Sequence, residues 1–573
     1  MSVFRKRLQA APAWDPAQVE RWVYVPYDQL DPGHPLLRDL PPRHTAVVLI
    51  ESPQKAHKRP YHKQKLALLL ASQRHFALEC AEAGHPVVWH VSDGSFGDGL
   101  LAVQARYGLG TLHALEPAER ELRVDLAEAV AAGLRLLLQP NTLWLTEPAD
   151  FAAACGSAPP WRMDAFYRHV RRKTGVLMQA GKPVGGKFSF DAENRQPWRG
   201  TPAVPPLPRY QPDAVTTEVL QLVEHAFADH FGDLAGFAWP VTAAEVADWW
   251  AHVRSTRLPH FGPFEDAMAE AEPLLFHARI SPLVNLGRLP ARQVLRDVLA
   301  DHAAGGLPLA SAEGFVRQLL GWREYVRHVH QHTDGFRQHL PANVVEDQSD
   351  LPQAEAASPN ALRATEPLPP VFWGKHQSGL RCLDTVVADV VRDGWSHHIT
   401  RLMVLSNIAS LLGVQPRALT DWFWVAYVDA YDWVVEPNVL GMGTWADGGA
   451  MMTKPYVSGA AYLRKMGDAC RRCVFDPTGK DPRRPCPLTP LYWQFLQRNQ
   501  PALARVERLS LPLALARQRT SAQRTHDAEV HARVLTTLRR GERLAVDVAA
   551  DEATCSAGPG LPKPPDLACI LGS

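Results

Sequence analysis

Long apolar runs are missing from this sequence. No stretch approaches the roughly 20 consecutive apolar residues that cross a bilayer, and the N-terminus Met-Ser-Val-Phe-Arg-Lys-Arg has no apolar segment behind it. We therefore expect no membrane span and no signal peptide, and a cytoplasmic protein. The formal net charge is also small, at +1 over 573 residues. Any surface that binds nucleic acid therefore has to be a local patch of positive charge.

Cysteine is scarce, with eight residues in the chain, which does not suit a disulfide framework. Three of them lie close together, as the C-x-x-C pair Cys470 and Cys473 followed by Cys486-Pro487, and Cys382 lies far upstream. Four thiolates suit a tetrahedral zinc ion or an iron–sulfur cluster, and a Pro directly after the last Cys recurs in cluster proteins. The alternative is four unrelated buried thiols. The spacing favours a metal site, although the usual second C-x-x-C is missing.

The N-terminal region, residues 1–150, has no G-x-G-x-x-G and no Walker loop, so ordinary dinucleotide or triphosphate binding is unsupported there. Short apolar runs alternate instead with helical patterns, and this alternation predicts a parallel sheet with helical crossovers. The predicted strands cover residues 23–25, 46–50, 87–91, 111–115 and 136–138. Ligands of such sheets bind beyond the carboxyl ends of the strands, which draws attention to Asp28 and Glu51. As lone carboxylates, both are more commonly helix caps or solvated residues.

The rest of the chain divides into three segments that differ in amino-acid composition. Residues 151–215 are rich in Pro, Arg and Gly and predict a mostly irregular connector with one short helix at 164–174. Residues 216–525 follow the apolar spacing of helices. The increase of Ser, Gly and Pro toward the end predicts a flexible tail over 526–573, in which Cys555 and Cys569 lie.

Two adjacent histidines stand out in the helical region. His397 and Arg401 are four residues apart, so on a helix they share a face, with His398 offset from it. A helix predicted over 421–433 carries Asp429 among aromatic residues. An Arg401–Asp429 pair could clamp a planar heterocycle, and the alternative is a structural ion pair in a wet groove.

Beyond these residues, the sequence resembles the photolyase–cryptochrome superfamily, and in particular its bacterial iron–sulfur branch of (6-4) photolyases and related cryptochromes. The resemblance runs from about residue 22 to about residue 515. The stretches that carry it include Ser72-Gln-Arg-His-Phe-Ala77, Phe190-Asp-Ala-Glu-Asn-Arg-Gln-Pro197, Phe261-Gly-Pro-Phe-Glu-Asp-Ala-Met268, Gly321-Trp-Arg-Glu-Tyr325, Trp395-Ser-His-His398, Tyr431-Asp-Trp-Val434 and Pro437-Asn-Val-Leu-Gly-Met442.

The resemblance implies a Rossmann-like α/β domain followed by a large all-α domain that binds FAD. It implies a lyase that repairs (6-4) photoproducts in UV-damaged DNA with light, by electron transfer from reduced FAD. The alternative function is a cryptochrome-type blue-light photoreceptor with the same cofactors. We expect a monomer in the bacterial cytoplasm.

The resemblance also assigns roles to residues. A [4Fe–4S] cluster would be held by Cys382, Cys470, Cys473 and Cys486, and a 6,7-dimethyl-8-ribityllumazine antenna by Asp28 and Glu51. The residues expected around FAD are His277, Ser281, Trp322, Arg401, Asp429 and Asn438. The residues expected at the lesion are His397, His398, Tyr456 and Tyr462, with His398 as the acid because an imidazole exchanges protons near neutral pH. Phosphate contacts are expected from Lys454, Arg464, Arg471 and Arg472, and electron relay from Trp422, Trp424 and Trp373.

Three positions depart from the usual pattern of this branch. One is Val435, which is followed by Glu436 and stands where an acid is usual, and this bears on the contact with the flavin edge. Tyr27 stands where a Gly usually precedes the Asp, which bears on the antenna pocket. Phe423 follows Trp422 where a Tyr is common, which bears on the electron route.

Overall fold

A five-stranded parallel sheet forms the centre of the N-terminal region in the computed structural model, which describes residues 2–341, 344 and 357–546. The strand order is β3-β2-β1-β4-β5, with Val23 opposite Val47 and Trp22 opposite Leu112. Every run that the sequence analysis predicts as a strand lies in this sheet. The strands are β1 (Arg21–Tyr24), β2 (Thr45–Glu51), β3 (Val87–Val91), β4 (Leu112–Leu115) and β5 (Leu136–Gln139).

Both faces of the sheet are buried at its inner strand β2, because helices cover them there. On β2, Val47 and Leu49 pack in one core with Phe76, whereas Val48 and Ile50 pack in the other with Leu100. This two-sided burial explains why β2 is a continuous apolar run rather than an alternating one. The helices of this region are α1 (Val3–Gln9), α2 (Pro53–His57), α3 (Lys63–Glu82), α4 (Phe96–Tyr107), α5 (Arg120–Ala131) and α6 (Pro148–Cys155).

The connector begins with α7 (Met163–Thr174), followed by a small hairpin of β6 (Met178–Gln179) and β7 (Lys182–Pro183). Arg171 of α7 is fully buried and donates to the carbonyl oxygens of Val176, Leu177 and Phe188. Its cation therefore holds the connector in place rather than contacting a ligand.

The remainder of the described chain is helical, as predicted. Its helices are α8 (Ala214–Ala226), α9 (Ala243–Thr256), α10 (Leu258–Phe264), α11 (Ser281–Asn285), α12 (Ala291–Ala303), α13 (Leu309–Val316), α14 (Glu324–His332), α15 (Arg381–Asp393), α16 (His398–Thr400), α17 (Asn407–Leu412), α18 (Pro416–Ala426), α19 (Asp432–Glu436), α20 (Ala460–Met466), α21 (Leu488–Arg498), α22 (Gln500–Leu503), α23 (Ser510–Gln518) and α24 (Ser521–Arg539).

The helix predicted over 421–433 is wrong in its second half. α18 ends at Ala426 because Tyr427 adopts an extended backbone conformation. The amide of Val428 then donates to the carbonyl oxygen of Gly394, 2.9 Å away, instead of continuing the helix. Asp429 consequently lies in a short loop between α18 and α19.

The flexible tail predicted from residue 526 is also wrong at its beginning, because residues up to 539 belong to α24. Val530, Val534 and Leu538 follow the spacing of one helix face and are buried, and α24 packs against α21. Asp527 is fully buried and accepts from Arg519 at 2.7 and 2.8 Å. Cys555, Cys569 and the rest of the predicted tail beyond residue 546 lie outside the described residues.

Candidate functional site

A cavity of about 1600 Å³, counted with its open mouth, lies inside the helical region. Its walls come from α11, from the Asp429 loop, and from the helices around Trp322, Arg401 and Asn438. All six residues that the resemblance assigns to FAD line it: His277, Ser281, Trp322, Arg401, Asp429 and Asn438. Their roles stay predictions, but the fold does place all six side chains around the same cavity.

Arg401 and Asp429 form a two-pronged ion pair at this wall, with N–O distances of 3.0 and 2.9 Å. The hydroxyl of Ser281 donates to the same carboxylate at 2.6 Å, and Asn285 donates to the carbonyl oxygen of Asp429 at 2.9 Å. The guanidinium of Arg401 also lies 4.2 Å from the ring centre of Tyr427. A planar cation held from several sides in this way is fixed before any ligand arrives.

Two histidines that line this cavity each have a buried ring nitrogen without a hydrogen-bond partner among the described residues. Within the described part of the chain, neither Nε2 of His277 nor Nδ1 of His397 has a hydrogen-bond partner. The two rings stack at 4.4 Å with 10° between their planes. Burial lowers the pKa of both histidines, to about 3 for His277, so both are neutral at pH 7. A buried polar atom without a partner is costly, which indicates that a polar ligand completes the site.

Three helices that line the cavity contain a π-helical turn, at Arg317–Arg323, Arg401–Ser406 and Pro437–Gly443. A π-turn places one extra residue in the helix and turns side chains that an α-helix would direct elsewhere. Trp322, Arg401 and Asn438 each lie in one of these turns. The π-turns therefore contribute directly to the position of three of the six cavity residues.

A second cavity, of about 1440 Å³, adjoins the first. Tyr456, Tyr462 and Lys454 line it, and it shares Trp322 and His398 with the flavin-sized cavity. His398 is exposed to this space, yet the protein around the cavity and the charge of Arg401 lower its pKa to about 4. The imidazole is thus neutral at pH 7 in the free protein.

Two acids that we did not select from the sequence also line the second cavity. Burial raises the pKa of Glu265 to about 7 and that of Asp266 to about 6, and Asp266 is hydrogen-bonded to Tyr462. Arg317 donates to Glu265 at 3.1 Å. In the sequence the two acids are adjacent, within the stretch from Phe261 to Met268. That stretch contributes to the family resemblance, but neither acid was predicted to have a role.

The four selected cysteines meet at a smaller cavity of about 320 Å³, which Cys382, Cys470, Cys473 and Cys486 line together with Phe475 and Leu488. Burial raises the pKa of Cys382, of Cys470 and of Cys486, the last to about 12, and the nearby cysteines contribute to each shift. Across the described residues, no three His, Cys, Asp or Glu side chains converge closely enough to hold a single metal ion.

The tryptophans proposed as an electron relay lie at different depths. Trp422 is buried, donates to the carbonyl oxygen of Phe372 and lies 5.0 Å from Phe423, which lines the large cavity. Trp424 lies under the guanidinium of Arg59, at 3.9 Å, and therefore faces the sheet region. Trp373 is partly buried. Phe423, rather than a tryptophan, is thus the aromatic residue of α18 at the cavity.

The two carboxylates predicted to bind the antenna are not brought together. Both oxygens of Glu51 accept from Arg74, at 2.8 and 3.2 Å, and Glu51 does not line the cavity that Asp28 lines. Asp28 accepts from the amide of Ala118 at 3.1 Å, and burial raises its pKa to about 6. An internal arginine thus pairs with both oxygens of Glu51, and the role of Glu51 as an antenna contact stays a prediction.

Of the four basic residues predicted to contact phosphates, Lys454 lines the second cavity, and Arg464, Arg471 and Arg472 are exposed. Over residues 2–341, 344 and 357–546, we find no helix with the length and apolar character needed to cross a membrane.

Comparison with known proteins extends these observations. A family model described as deoxyribodipyrimidine photo-lyase-related protein matches residues 23–239. The chain is 33% identical over 493 residues to a protein of Agrobacterium fabrum named (6-4) photolyase, covering 85% of this chain and 93% of that protein.

Two solved structures share the fold. The crystal structure of a bacterial class III photolyase from Agrobacterium tumefaciens matches with a TM-score of 0.52 and 15% identity, over 93% of this chain and 99% of that chain. The cryptochrome of Synechocystis sp. PCC6803 matches with a TM-score of 0.53 and 16% identity, over 91% and 99%. Together with the sequence relative, these matches show that the chain belongs to the photolyase–cryptochrome superfamily, in the family of the Agrobacterium (6-4) photolyase.

Proposed function

We propose that this protein is a light-driven DNA repair enzyme that reverses (6-4) pyrimidine–pyrimidone photoproducts. The observation that carries the proposal is the position of His398 on the wall common to two adjoining cavities, one of flavin size and one lined by Tyr456, Tyr462 and Lys454. A proton donor at that wall can reach a base in one cavity while a cofactor occupies the other. The Agrobacterium fabrum relative named (6-4) photolyase supports the same function.

FAD suits the large cavity because of the groups already described there. The Arg401–Asp429 pair offers a fixed planar cation and a carboxylate, and the free nitrogens of His277 and His397 can meet polar atoms of the cofactor. Trp322 and Asn438 would complete the walls. Bound FAD, reduced and excited by light, would supply the electron that lesion reversal requires.

The chain's own part in the chemistry is to admit the damaged base and to give it a proton. A damaged pair leaves the stack at lower cost than an intact one, by a few kcal/mol, so the lesion can enter the second cavity. His398 is neutral in the free protein, with a pKa of about 4. Phosphates brought in by DNA add negative charge, which raises the pKa of a nearby histidine and favours the protonated acid. Splitting a cyclobutane dimer needs no such acid, so His398 favours the (6-4) lesion.

A [4Fe–4S] cluster suits the four-cysteine cavity better than a zinc ion does. A lone zinc ion needs four sulfurs at about 2.3 Å from one point, and among the described residues no three ligand side chains converge in that way. A cluster fills space between thiols that lie further apart, as in a cavity of about 320 Å³. Its role here would be structural, joining α15 to the loop of Cys470–Cys486.

We leave the lumazine antenna out of the proposed cofactors, because Glu51 pairs with Arg74 and because Tyr27, Lys55 and Arg59 fill the edge of the sheet. The proposed partner is UV-damaged DNA, bound by a monomer, with Lys454 and the exposed Arg464, Arg471 and Arg472 as phosphate contacts.

The direct test is repair under light. Anaerobically purified protein with reduced flavin would be mixed with a duplex that carries one (6-4) photoproduct, and lesion loss would be measured in blue light and in darkness. We expect loss only in light, and slower or no loss of a cyclobutane dimer in a matched duplex. Absence of light-dependent loss in flavin-loaded protein would contradict the proposal.

The same experiment separates repair from a photoreceptor function. A cryptochrome-type receptor would bind FAD and respond to blue light with a change in the flavin spectrum, but it would leave the lesion intact. The aromatic residues that extend from the cavity, Phe423, Tyr427 and Trp422, are compatible with either function, so only the fate of the lesion distinguishes the two.

A further inference from the structure

The carboxyl edge of the parallel sheet is where a ligand of an α/β fold binds. In this protein the edge is filled by the chain's own side chains. Tyr27 follows β1, Lys55 and Arg59 follow β2, Phe96 follows β3, and Glu121 follows β4. Side chains from four neighbouring strand ends thus converge on the place that an antenna chromophore would need.

The aromatic part of this filling is closely packed. Tyr27 is 3% exposed, and its ring centre lies 5.2 Å from that of Phe96 and 6.3 Å from that of Tyr431. Tyr431 belongs to the helical half of the molecule and lies in the Asp429 loop. The tyrosine after β1 therefore fills the space between the sheet and the helical region.

The polar part of the filling is a set of ion pairs in which Arg59 and Glu119 are buried and Lys55 and Glu121 are partly buried. Lys55 pairs with Glu119 at 3.4 Å and also with Glu121, and Arg59 pairs with Glu121 at 2.6 Å. The guanidinium of Arg59 stacks on Trp424 at 3.9 Å. A ligand that entered here would have to separate these pairs and leave buried charges without their counter-ions, which is strongly unfavourable.

Lys65 closes the remaining side. It is 5% exposed and donates to the carbonyl oxygens of Trp424 and Ala430, at 3.0 and 2.5 Å. Its ammonium lies 4.5 Å from the ring centre of Tyr61. These donors are committed to the main chain of the neighbouring helical region and are not available to a ligand.

The neighbouring space on the other side of Asp28 does not replace the lost pocket. It measures about 410 Å³, is lined by Trp144, Arg323 and Trp433, and has Arg323 stacked 3.8 Å from the ring centre of Trp144. Asp28 contributes one oxygen without a partner among the described residues. Arg323 and Trp144 are already stacked on each other, so the one free carboxylate oxygen of Asp28 is a weak anchor for a ribityl chromophore.

We infer that this protein binds no lumazine at the sheet edge, because Tyr27 and the ion pairs of Lys55, Arg59, Glu119 and Glu121 occupy the antenna site. The flavin is then the light absorber that serves the proposed repair reaction. This inference goes beyond the proposed function and does not require it, since chromophore binding is measured without DNA.

The test uses flavin-loaded protein, so that the large cavity is occupied. The protein would be incubated with excess 6,7-dimethyl-8-ribityllumazine and passed through gel filtration, and bound lumazine would be read from absorbance and fluorescence. The variant Tyr27→Gly/Lys55→Ala opens the edge. Tyr107→Gly serves as a matched control, because Tyr107 ends α4 at the opposite edge of the same sheet.

We expect no lumazine to stay with the wild-type protein or the control, and binding at least about tenfold tighter in the opened variant. We also expect the wavelength dependence of light-driven flavin reduction, with lumazine present, to follow the flavin spectrum alone. One equivalent of lumazine retained by the wild-type protein, or an additional band in that wavelength dependence, would overturn the inference. Neither result would bear on whether the lesion is repaired.

Discussion

His398 combines two properties that are rarely found together. It is exposed to a large cavity, and yet burial of that cavity and the neighbouring Arg401 lower its pKa to about 4. A group with so low a pKa is a poor acid at neutral pH until negative charge comes near it. Under the proposed function, His398 would be inactive as a donor in the free protein and would gain its proton when DNA occupies the second cavity.

Replacing His398 by Ala should abolish (6-4) repair without loss of flavin. General acids contribute about 10²–10⁴-fold, so we expect a decrease of that order in the light-dependent repair rate. The flavin should remain, because Arg401, Asp429 and His277 are unchanged. The measurements are lesion loss per unit light dose and the flavin absorbance of the purified variant.

The control for this variant is His225→Ala, an exposed histidine near the end of α8. In the wild-type protein, repair should slow as pH rises, because the protonated fraction of His398 falls, and this dependence should disappear in His398→Gln. A variant that repairs at the wild-type rate would remove His398 from the role of acid.

At single residues, the sequence was informative where both partners of a contact lie in segments that stand out by their composition. The pairing of Arg401 with Asp429 could be proposed because both lie in marked aromatic segments, and the structure contains that pair. Glu51 could not be judged, because its partner Arg74 lies one helix further along the chain. The raised pKa of Glu265 depends on burial by several segments, which no local pattern reports.

At the scale of elements, the last turn of α18 and the loop that follows it are held by donors from outside both. The amide of His62 donates to the carbonyl oxygen of Val425, and Lys65 donates to those of Trp424 and Ala430. Both donors come from the sheet region, near the start of α3. The element that carries Asp429 into the flavin-sized cavity is therefore positioned by the other half of the molecule.

Lys65→Met should weaken that loop. Two buried carbonyl oxygens would lose a donor, and an unpaired buried acceptor costs about 1–3 kcal/mol. We expect the free energy of unfolding to fall by roughly 2 kcal/mol and flavin to dissociate more readily, because the Asp429 loop is less constrained. Chemical denaturation and flavin retention on gel filtration measure the two effects.

The matched control is Lys63→Met on the same helix, because Lys63 pairs with Glu224, whose side chain is 60% exposed. A half-exposed pair of that kind contributes about 0–1 kcal/mol. Equal effects of the two variants on flavin retention would show that Lys65 has no special part in holding the Asp429 loop.

Cys473→Ser should remove the proposed cluster. Serine is a poor ligand for iron, so the variant keeps only three of the four proposed thiolate ligands. We expect loss of the brown colour and of most of the iron, together with lower solubility, because the 470–486 loop loses its link to α15. Iron analysis and the visible spectrum of anaerobically purified protein measure this.

The comparison variant is Cys155→Ser, a partly buried cysteine that does not line the four-cysteine cavity. It should keep its iron and colour. A soluble, brown Cys473→Ser protein with a full complement of iron would show that this thiol is not a ligand.

Sequence reasoning succeeded for elements whose pattern is local. All five strands were predictable because each is a short apolar run with turns on both sides. The end of α18 at Ala426 was not, because the aromatic run continues through residue 433 and the interruption comes from contacts with Gly394 and Lys65. α24 was not predicted because the few apolar residues of its buried face are separated by many polar and charged residues.

Across the whole molecule, the sheet region and the helical region are joined by buried polar contacts. Thr146 donates to Glu324 at 2.7 Å, and the Nε2 atom of His62 lies 3.0 Å from the carbonyl oxygen of Val391. Nδ1 of His62 accepts from the amide of Gln64, so the ring is neutral with its proton on Nε2. Protonation at Nδ1 would replace this acceptor with a donor and disrupt the junction.

Buried neutral histidines make the stability of the whole protein sensitive to acid. Burial lowers the pKa of His34 and of His62 to about 4, below the value of about 6.5 in an unfolded chain. Between these values the unfolded chain binds more protons than the folded one, so the free energy of unfolding falls as pH decreases through that window. Each histidine contributes up to about 1.4 kcal/mol per pH unit.

His34 is the simplest place to test this sensitivity, because it is fully buried and neither ring nitrogen has a partner among the described residues. In His34→Leu, the decrease in Tm from pH 8 to pH 5 should be smaller than in the wild-type protein, because one group that takes up a proton on unfolding has been removed. His526→Leu, at an exposed position of α24, should leave the decrease unchanged. An equally steep decrease in His34→Leu would mean that His34 has the same pKa in the folded and unfolded states, and the acid sensitivity of the fold would then have to come from His62 and the domain junction.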